Sequence, residues 1–248
     1  MSGTDGVRGA SGADGVRGAD GVRGADGVRG ADGAGGGAVA ARRVPRPRAD
    51  ALRNRERLVT AAREMFVEFG CSVPYDEVAR RAGVGNATLY RNFPERADLV
   101  REVVLSLLAR LTERAELALA EEADAFEAVR RFVYAAADER VGALCPMLDG
   151  TFDKDHPDLV VERARLEEAV EDLVRRAQTA GRLRPDVGVG DLMVGVSQLT
   201  RPLPGTGCQD FAPFVHRHLQ LFLDGLEAPA RSALPGAAVT LEDLRRDA

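Results

Sequence analysis

The sequence predicts an all-α protein in which a three-helix module at residues 50–100 precedes a larger helical domain at residues 101–227. Apolar residues recur at spacings of three and four from Ala51 onward, which is typical of amphipathic helices. No segment alternates convincingly between apolar and polar residues, so we expect essentially no sheet. Glycine and proline separate the periodic segments and divide them into individual helices.

Residues 1–49 are predicted to form a disordered tail followed by an arginine- and proline-rich linker. Glycine occupies every third position from Gly6 to Gly33, mostly in the repeat GVRGAD, which satisfies the glycine rule of collagen. The repeat contains no proline, so little would hold it in the polyproline II conformation. A collagen-like trimer is the alternative, and translation from a later start would remove the repeat altogether.

The composition, with 45% hydrophobic and 29% charged residues, is that of an ordinary globular protein. No stretch approaches the roughly 20 apolar residues of a membrane span, and the N-terminus lacks a signal-peptide pattern, so we expect a cytoplasmic protein. The three cysteines are far apart and form no C-x-x-C pair, which argues against a disulfide framework or a zinc ribbon. We expect buried thiols, no bound metal and no cofactor.

Positive charge is concentrated in and just before the three-helix module. Residues 42–100 carry twelve arginines and eight acidic residues, whereas residues 101–248 carry eighteen basic and twenty-six acidic residues. Such an asymmetry is expected where one module faces a polyanion such as DNA. The arginine-rich stretch from Arg42 to Arg57 fits two interpretations, an arm that neutralises phosphates along a duplex or a solubilising linker.

Three helices are predicted in the module. The first carries an apolar stripe and stops at Gly70. The second is predicted at Pro74–Ala82 and the third at Asn86–Phe93, with the turn at residues 83–85 between them. Two short helices joined by a glycine-containing turn behind a supporting helix form a helix-turn-helix. Pro94 is predicted to open a long fourth helix.

The turn and the exposed face of the third helix carry the residues that indicate a function. Gly83 can adopt the left-handed conformation of a sharp turn, and Gly85 is an acceptable helix N-cap. The exposed face offers side chains that can donate hydrogen bonds to phosphates or base edges, namely Asn86, Thr88, Tyr90 and Arg91.

The run from Val78 to Arg96, VARRAGVGNATLYRNFPER, resembles the DNA-binding signature of the TetR family of transcriptional regulators. The matching elements are V-A-x-x-A-G-V, then T-L-Y-x-x-F, then a basic residue three places on. The resemblance is tight over the three-helix module and loose over the remaining helices. Two departures are Pro74, where the family often has a threonine, and Gly85, which replaces a common serine cap.

The resemblance implies that the third helix lies in the major groove of DNA. The implied DNA-binding residues are Asn86, Ala87, Thr88, Tyr90, Arg91 and Arg96. Tyr90 would press on the phosphate backbone, and Arg96 would bind a phosphate at the start of the fourth helix. Leu89 and Phe93 would hold the recognition helix from the core. We therefore expect a homodimeric regulator, a repressor that binds a palindromic operator and is released by a small, mostly apolar molecule.

In the C-terminal half, helices are predicted at 124–141, 157–180, 188–200 and 210–227, and residues 228–248 are expected to form a flexible tail. The resemblance implies that the middle helices enclose a ligand pocket and that the last two form a dimer interface. The candidate pocket residues, each of which fits a plain core position as well, are Phe126, Val129, Phe132, Val133, Leu144, Met147, Phe152 and Met193. The candidate interface residues are Leu192, Val196, Leu199, Phe214, Leu221 and Phe222.

Other classes of function have less support in the sequence. A helical-bundle enzyme would need a nucleophile with a histidine base, a Glu-x-x-His pair or a phosphate-cradling glycine loop, and we find none of these. The polar residues around the break at Cys145-Pro146, among them Asp153 and His156, form only a weak metal candidate. A scaffold protein organised by the N-terminal repeat is a third interpretation. The expected partners are double-stranded DNA, a second copy of the chain and a small-molecule effector, with no membrane.

Overall fold

The computed structural model describes residues 47–70, 72–144, 152–201, 208–241 and 243. Within these residues the chain forms nine α-helices and no strand, with one isolated antiparallel bridge between Leu183 and Glu227. The helices are α1 (Pro47–Phe69), α2 (Tyr75–Ala82), α3 (Asn86–Asn92), α4 (Arg96–Glu121), α5 (Ala125–Asp138), α6 (Val141–Leu144), α7 (Pro157–Thr179), α8 (Val189–Leu199) and α9 (Cys208–Leu226). The all-α expectation is confirmed.

Most helix ends follow local sequence signals and lie within a few residues of the expected positions. α1 begins at Pro47, so the second part of the arginine-rich stretch is helical. α2 begins one residue later than expected, because Pro74 is its extended N-cap residue with φ −60° and ψ 144°. α5 ends at Asp138, short of the expected end, and the chain turns at Arg140, whose φ is 60°. A positive φ is costly for a side chain with a Cβ atom and interrupts a right-handed helix.

The N-terminus of α4 is fixed by a reciprocal cap. The helix begins at Arg96. The backbone N–H of Glu95 donates to Oδ2 of Asp98 at 3.2 Å, and the Glu95 carboxylate accepts from the backbone N–H of Asp98. Such a box satisfies two backbone donors that a helix start otherwise leaves exposed. The hydrogen bond from the Glu95 backbone, followed by that from Arg101, lowers the pKa of the Asp98 carboxyl. Pro94 precedes this cap and does not open the helix itself.

A single apolar core runs through the described helices, and α4 connects its two halves. Leu58 of α1, Phe93 after α3 and Phe132 of α5 belong to the same buried cluster. α4 packs against α1 near α3 and against α5 and α7 farther along, with Leu99 and Leu111 buried on its inner side. A rigid helix shared by both halves can transmit a displacement from the C-terminal helices to the N-terminal module.

The segment that follows α9 returns to the start of α8. The carbonyl oxygen of Val239 accepts a hydrogen bond from the backbone N–H of Gly190 at 2.8 Å, and the N–H of Val239 donates to Oδ2 of Asp191 at 3.1 Å. A Cβ atom at Gly190 would lie 2.5 Å from the Val239 carbonyl oxygen, so glycine is required for this approach. The expectation of a flexible tail over residues 228–248 is therefore corrected around Val239, which is tied to α8.

Some expectations concern residues that the structure does not describe. They are the tail and linker at residues 1–46, the break at Cys145-Pro146 and the pocket candidate Met147. Among the helices that it does describe, none is long and apolar enough to cross a lipid bilayer.

Candidate DNA-binding interface

The turn between α2 and α3 has the geometry of a helix-turn-helix. Gly83 ends α2 with φ 65° and ψ 37°, the left-handed conformation expected from the sequence. The N–H of Val84 then bonds to the carbonyl of Ala79 at 3.0 Å. Gly85 is extended, with φ −75° and ψ 150°, and its carbonyl accepts from the N–H of Thr88 at 2.8 Å to begin α3. The glycine that reverses the chain and the glycine that starts the next helix thus have different roles.

Two buried side chains hold α3 against the rest of the module. Leu89 and Phe93 are both 0% exposed, as the sequence predicted. Val84 in the turn is half-buried against the same core. Since residues on one side of a short helix are buried, the remaining positions of α3 are turned outward. The outward face is therefore set by the packing of Leu89 and Phe93.

Arg55 of α1 fixes the C-terminal end of α3, a role that the sequence analysis missed. Its Nη1 donates to the carbonyl of Asn92 at 3.2 Å, and its Cζ lies 4.4 Å from the centroid of the Phe93 ring. Its Nε and Nη2 donate to the two carboxylate oxygens of Glu102 on α4 at 3.2 and 2.7 Å. One guanidinium thereby joins α1, α3 and α4 in the fork geometry that favours arginine over lysine.

The described part of the stretch Arg42–Arg57 is helical from Pro47 onward, so it forms neither a free arm nor a flexible linker there, and a contact of its arginines with DNA phosphates stays a prediction. Arg53 pairs with Asp50 one turn earlier in α1, and Arg55 binds the carbonyl of Asn92 at the end of α3. Arg57 lies beside the turn and donates from Nη2 to the carbonyl of Gly83 at 3.3 Å. A pattern of close arginines cannot distinguish these roles from phosphate contacts, because the partners of Arg55 and Arg57 lie far away in the sequence.

A second contribution that the sequence did not reveal comes from Tyr75 at the start of α2. Its ring meets the ring of Tyr90 edge to face, with centroids 5.4 Å apart and planes at 88°. Its hydroxyl donates to the carbonyl of Glu95 at 2.6 Å. Burial raises the pKa of this phenol to about 12, against the opposing charge of nearby Arg96. Tyr75 thus sets the position of Tyr90 on the outward face of α3.

The other α3 residues implied by the resemblance lie on one outward face. Asn86 and Ala87 are exposed, Thr88 is half-buried and Tyr90 is 51% exposed. Arg91 is exposed and folds along the helix, where Nε donates to the carbonyl of Ala87 at 3.0 Å and Nη2 to Oγ1 of Thr88 at 3.1 Å. An arginine held by such weak surface contacts can exchange them for a base edge or a phosphate.

Arg96 is more deeply embedded than the sequence implied. The side chain is half-buried, Nη2 donates to the carbonyl of Val73 at 2.7 Å, and Cζ lies 5.9 Å from the centroid of the Tyr75 ring. It connects the loop before α2 to the N-terminus of α4. Arg96 therefore has a structural role within the module. A contact from this residue to a DNA phosphate stays a prediction.

Comparison with known proteins links this geometry to a family. Residues 58–103 match the family of bacterial regulatory proteins called tetR, and residues 122–228 match the C-terminal domain of SbtR-like transcriptional regulators. The TetR transcription regulatory protein from Mycobacterium vanbaalenii is 30% identical, covers 73% of this chain and 99% of its own, and superposes with a TM-score of 0.51. This chain belongs to the TetR family of transcriptional regulators.

Other relatives agree with this membership. A TetR transcriptional regulator from Streptomyces coelicolor is 29% identical, with a TM-score of 0.53, and covers 71% of this chain and 99% of its own. An HTH-type transcriptional regulator from Staphylococcus aureus is 36% identical over 58 residues, which are 23% of this chain and 31% of that protein. Members of the TetR family are DNA-binding regulators and not enzymes.

The candidate pocket residues lie in the C-terminal half of the molecule, where the resemblance to the TetR family led us to expect the ligand pocket. Five of them are fully or almost fully buried, namely Phe126, Val129, Phe132, Val133 and Leu144. Phe152 and Met193 are half-buried against the same core. Met147 lies outside the described residues. Burial of this kind fits both a pocket lining and a plain core, so their role in ligand binding stays a prediction.

The candidate interface residues divide into three groups by their exposure. Leu192 and Val196 are 1% and 0% exposed within one protomer, so they have no surface to offer a partner and are core residues. Leu199 and Phe222 are half-buried. Phe214 and Leu221 on α9 are 55% and 61% exposed. Of the last two helices, only α9 therefore exposes large apolar side chains from the candidate set to solvent.

No group of three or more His, Cys, Asp or Glu side chains in the described ranges is arranged to hold a metal ion. His156, part of the weak metal candidate, caps α7 instead, since its Nδ1 accepts from the N–H of Asp158 at 3.3 Å. This cap accounts for its position beside Pro157 without a metal.

Proposed function

We propose that this TetR-family regulator is a repressor that binds a palindromic operator as a homodimer and leaves it when a small, mostly apolar molecule binds. The outward face of α3 is the observation that supports the DNA-binding part of this proposal. Asn86, Tyr90 and Arg91 are exposed there while Leu89 and Phe93 anchor the helix from below. A braced helix with polar side chains on its outer face suits the major groove, where base edges offer donors and acceptors.

The dimer proposal rests on the apolar surface of the last two helices. Phe214 and Leu221 on α9 and Val194 on α8 are 55%, 61% and 40% exposed. Large apolar side chains in one region are more stable when a second protein surface covers them. A two-fold dimer would place two copies of α3 about one DNA turn apart, roughly 34 Å, which is why we expect a palindromic site.

The release proposal rests on the course of α4. This helix contacts α5 and α7, where the effector would bind, and also α1, which supports α3 through Arg55. An effector that prefers a different tilt of α4 would change the spacing of the two recognition helices. It weakens operator binding only to the extent that it binds this second conformation more tightly.

Selection of bound fragments from genomic DNA, followed by titration of the recovered site, tests the function. We expect a palindromic site and an affinity that falls steeply with salt as counterions are released. Asn86→Ala and Arg91→Ala should change sequence preference, whereas Tyr90→Ala should weaken specific and random DNA alike. A folded protein that binds no duplex at low salt, or sites without two-fold symmetry, would contradict the proposal.

The same titration with a protein lacking residues 1–41 separates the proposal from the scaffold interpretation. The described module carries every DNA-facing residue named above, so we expect unchanged operator affinity. Loss of operator binding on removing the repeat would favour a protein organised by its tail. Effectors can then be sought as apolar compounds that lower operator affinity without lowering the thermal stability of the free protein.

A further inference from the structure

A cavity of about 440 Å³ lies between the DNA-binding module and the C-terminal helices. Its walls include Arg63 of α1, Arg110 and Arg114 of α4, and Glu139 and Arg140, which follow α5. None of the seven candidate pocket residues that the structure describes lines it. It is therefore distinct from the apolar pocket proposed above, and its volume lies within the range typical of small-molecule sites.

Three guanidinium groups approach one carboxylate in this cavity. Glu139 is buried, with a side chain 6% exposed. Its Oε2 accepts from Nη1 of Arg63 at 2.5 Å and from Nε of Arg110 at 2.8 Å. Its Oε1 accepts from Nη2 of Arg110 at 2.7 Å, and Nη2 of Arg114 lies 3.9 Å from the same oxygen. One negative charge thus faces three positive charges.

The other acidic side chains of the cavity offset only part of this excess, since Glu64 and Glu68 together carry one negative charge more than the arginine they share. Glu64 and Glu68 both pair with Arg81 of α2, at 3.3 and 2.7 Å. Asp138 is 71% exposed and lies 3.3 Å from Nε2 of His216. Burial alone would raise the pKa of the Glu139 carboxyl, but the neighbouring arginines outweigh burial and the pKa is lowered. The carboxylate is therefore ionised at neutral pH, and it is the one negative charge that the three arginines face.

We propose that this cavity binds a small oxyanion that carries at least two negative charges, either a polycarboxylate or a phosphorylated compound. Arginine forks bind carboxylate and phosphate oxygens in the same bidentate geometry. Arg114 is positioned for this, since its side chain is 44% exposed and its ion pair with Glu139 is long, at 3.9 Å. The bound anion would contact α1 and α4 together and so join the DNA-binding module to the C-terminal helices.

Calorimetric titration of the full chain with citrate and, separately, with inorganic pyrophosphate tests the proposal at constant ionic strength. We expect saturable binding of one anion per chain and a rise in Tm of about 3 to 5 °C at ten times the dissociation constant. Saturation by citrate alone indicates the polycarboxylate class, and saturation by pyrophosphate alone indicates the phosphorylated class. If neither anion gives saturable binding, the proposal is overturned.

Two variants locate the site. Arg114→Met should weaken the affinity at least tenfold, whereas Arg175→Met, which removes an exposed arginine from α7, should leave it unchanged. Equal affinity in Arg114→Met and the unaltered protein, or equal loss in both variants, would overturn the proposal. Should Arg114→Met fail to fold, hydrogen exchange of backbone amides in the unaltered protein is measured with and without the anion. The anion should slow exchange around Glu139, and unchanged exchange there would overturn the proposed site. None of these measurements depends on DNA binding.

Discussion

The guanidinium carbon of Arg55 lies 4.4 Å from the centroid of the Phe93 ring, at the point where the recognition helix ends. The same guanidinium binds Glu102 of α4 through both carboxylate oxygens. The recognition helix is therefore held from its buried side by apolar packing and at its end by one cation shared among three helices. Its orientation therefore depends on a residue of α1 that contacts both α3 and α4.

Arg55→Met should lower the free energy of unfolding by about 1 to 2 kcal/mol. The variant loses a cation–π contact and a part-exposed ion pair, each of which contributes modestly to the free energy of unfolding. Operator affinity should fall as well, because α3 loses its attachment to α4. Arg53→Met is the control, since Arg53 is 62% exposed and pairs only within α1. Urea denaturation and fluorescence anisotropy measure the two effects, and equal behaviour of both variants would argue against this role.

Gly83→Ala should destabilise the protein by about 1 to 2 kcal/mol, because a Cβ atom is unfavourable in the left-handed conformation. Gly85→Ser is the matched substitution two residues away. Gly85 is extended and has open space around its Cβ position, so a serine cap should leave stability unchanged or raise it by a few tenths of a kcal/mol. Thermal unfolding compares the two. A Gly83→Ala variant as stable as Gly85→Ser would contradict the turn geometry.

Ultraviolet difference titration should show one tyrosine that ionises only near pH 12. Burial raises the pKa of Tyr75 to about 12, and the late transition should disappear in Tyr75→Phe. A phenol with a raised folded pKa stabilises the folded protein below its unfolded pKa of about 10, and this contribution is lost as the pH rises toward 12. Tyr134→Phe is the control and should keep the late transition. Ordinary titration of all tyrosines would contradict the packing around Tyr75.

Glu139→Gln should lower the free energy of unfolding by about 3 kcal/mol, because it leaves several arginines around a buried site without their carboxylate. The sign of the pH dependence follows from the lowered pKa of Glu139. The ion pairs stabilise the folded protein above the ordinary pKa of 4.5, and this stability is lost as the pH falls through the lower folded value.

The pH dependence of urea denaturation for Glu139→Gln and for Glu171→Gln, an exposed position on α7, measures this contribution. As the pH falls below about 4.5 and through the lower folded pKa of Glu139, the unaltered protein and Glu171→Gln should lose more stability than Glu139→Gln. Parallel curves for all three proteins would show that Glu139 contributes no pH-dependent stability.

Leu221→Glu should convert the proposed dimer into a monomer in analytical ultracentrifugation, with little loss of protomer stability, because Leu221 is 61% exposed in one chain. A charge placed in an apolar interface is buried without a partner, which opposes association. Val161→Glu is the control, since Val161 is 57% exposed on α7, away from the proposed interface. Operator affinity should fall with the dimer, and a Leu221→Glu protein that still dimerises would place the interface elsewhere.

The sequence by itself determined the features that depend on neighbours in the chain. A left-handed turn at Gly83, an apolar stripe under α3 and the order of the helices follow from residues within one or two turns of each other, where glycine conformation and helical period act directly. For the same reason the outward face of α3 could be named before any coordinates, since Leu89 and Phe93 define the opposite face.

Only the tertiary structure decided the partners of charged side chains and the surfaces left for other molecules. Arg55 lies 47 positions from Glu102, and Arg63 lies 76 positions from Glu139, so no local pattern pairs them. Leu192 and Leu221 look alike in an apolar helical stripe, yet one is 1% exposed and the other 61%. Long-range packing determines which side of a helix is covered, and burial in turn determines which charges pair and which apolar groups remain for a partner.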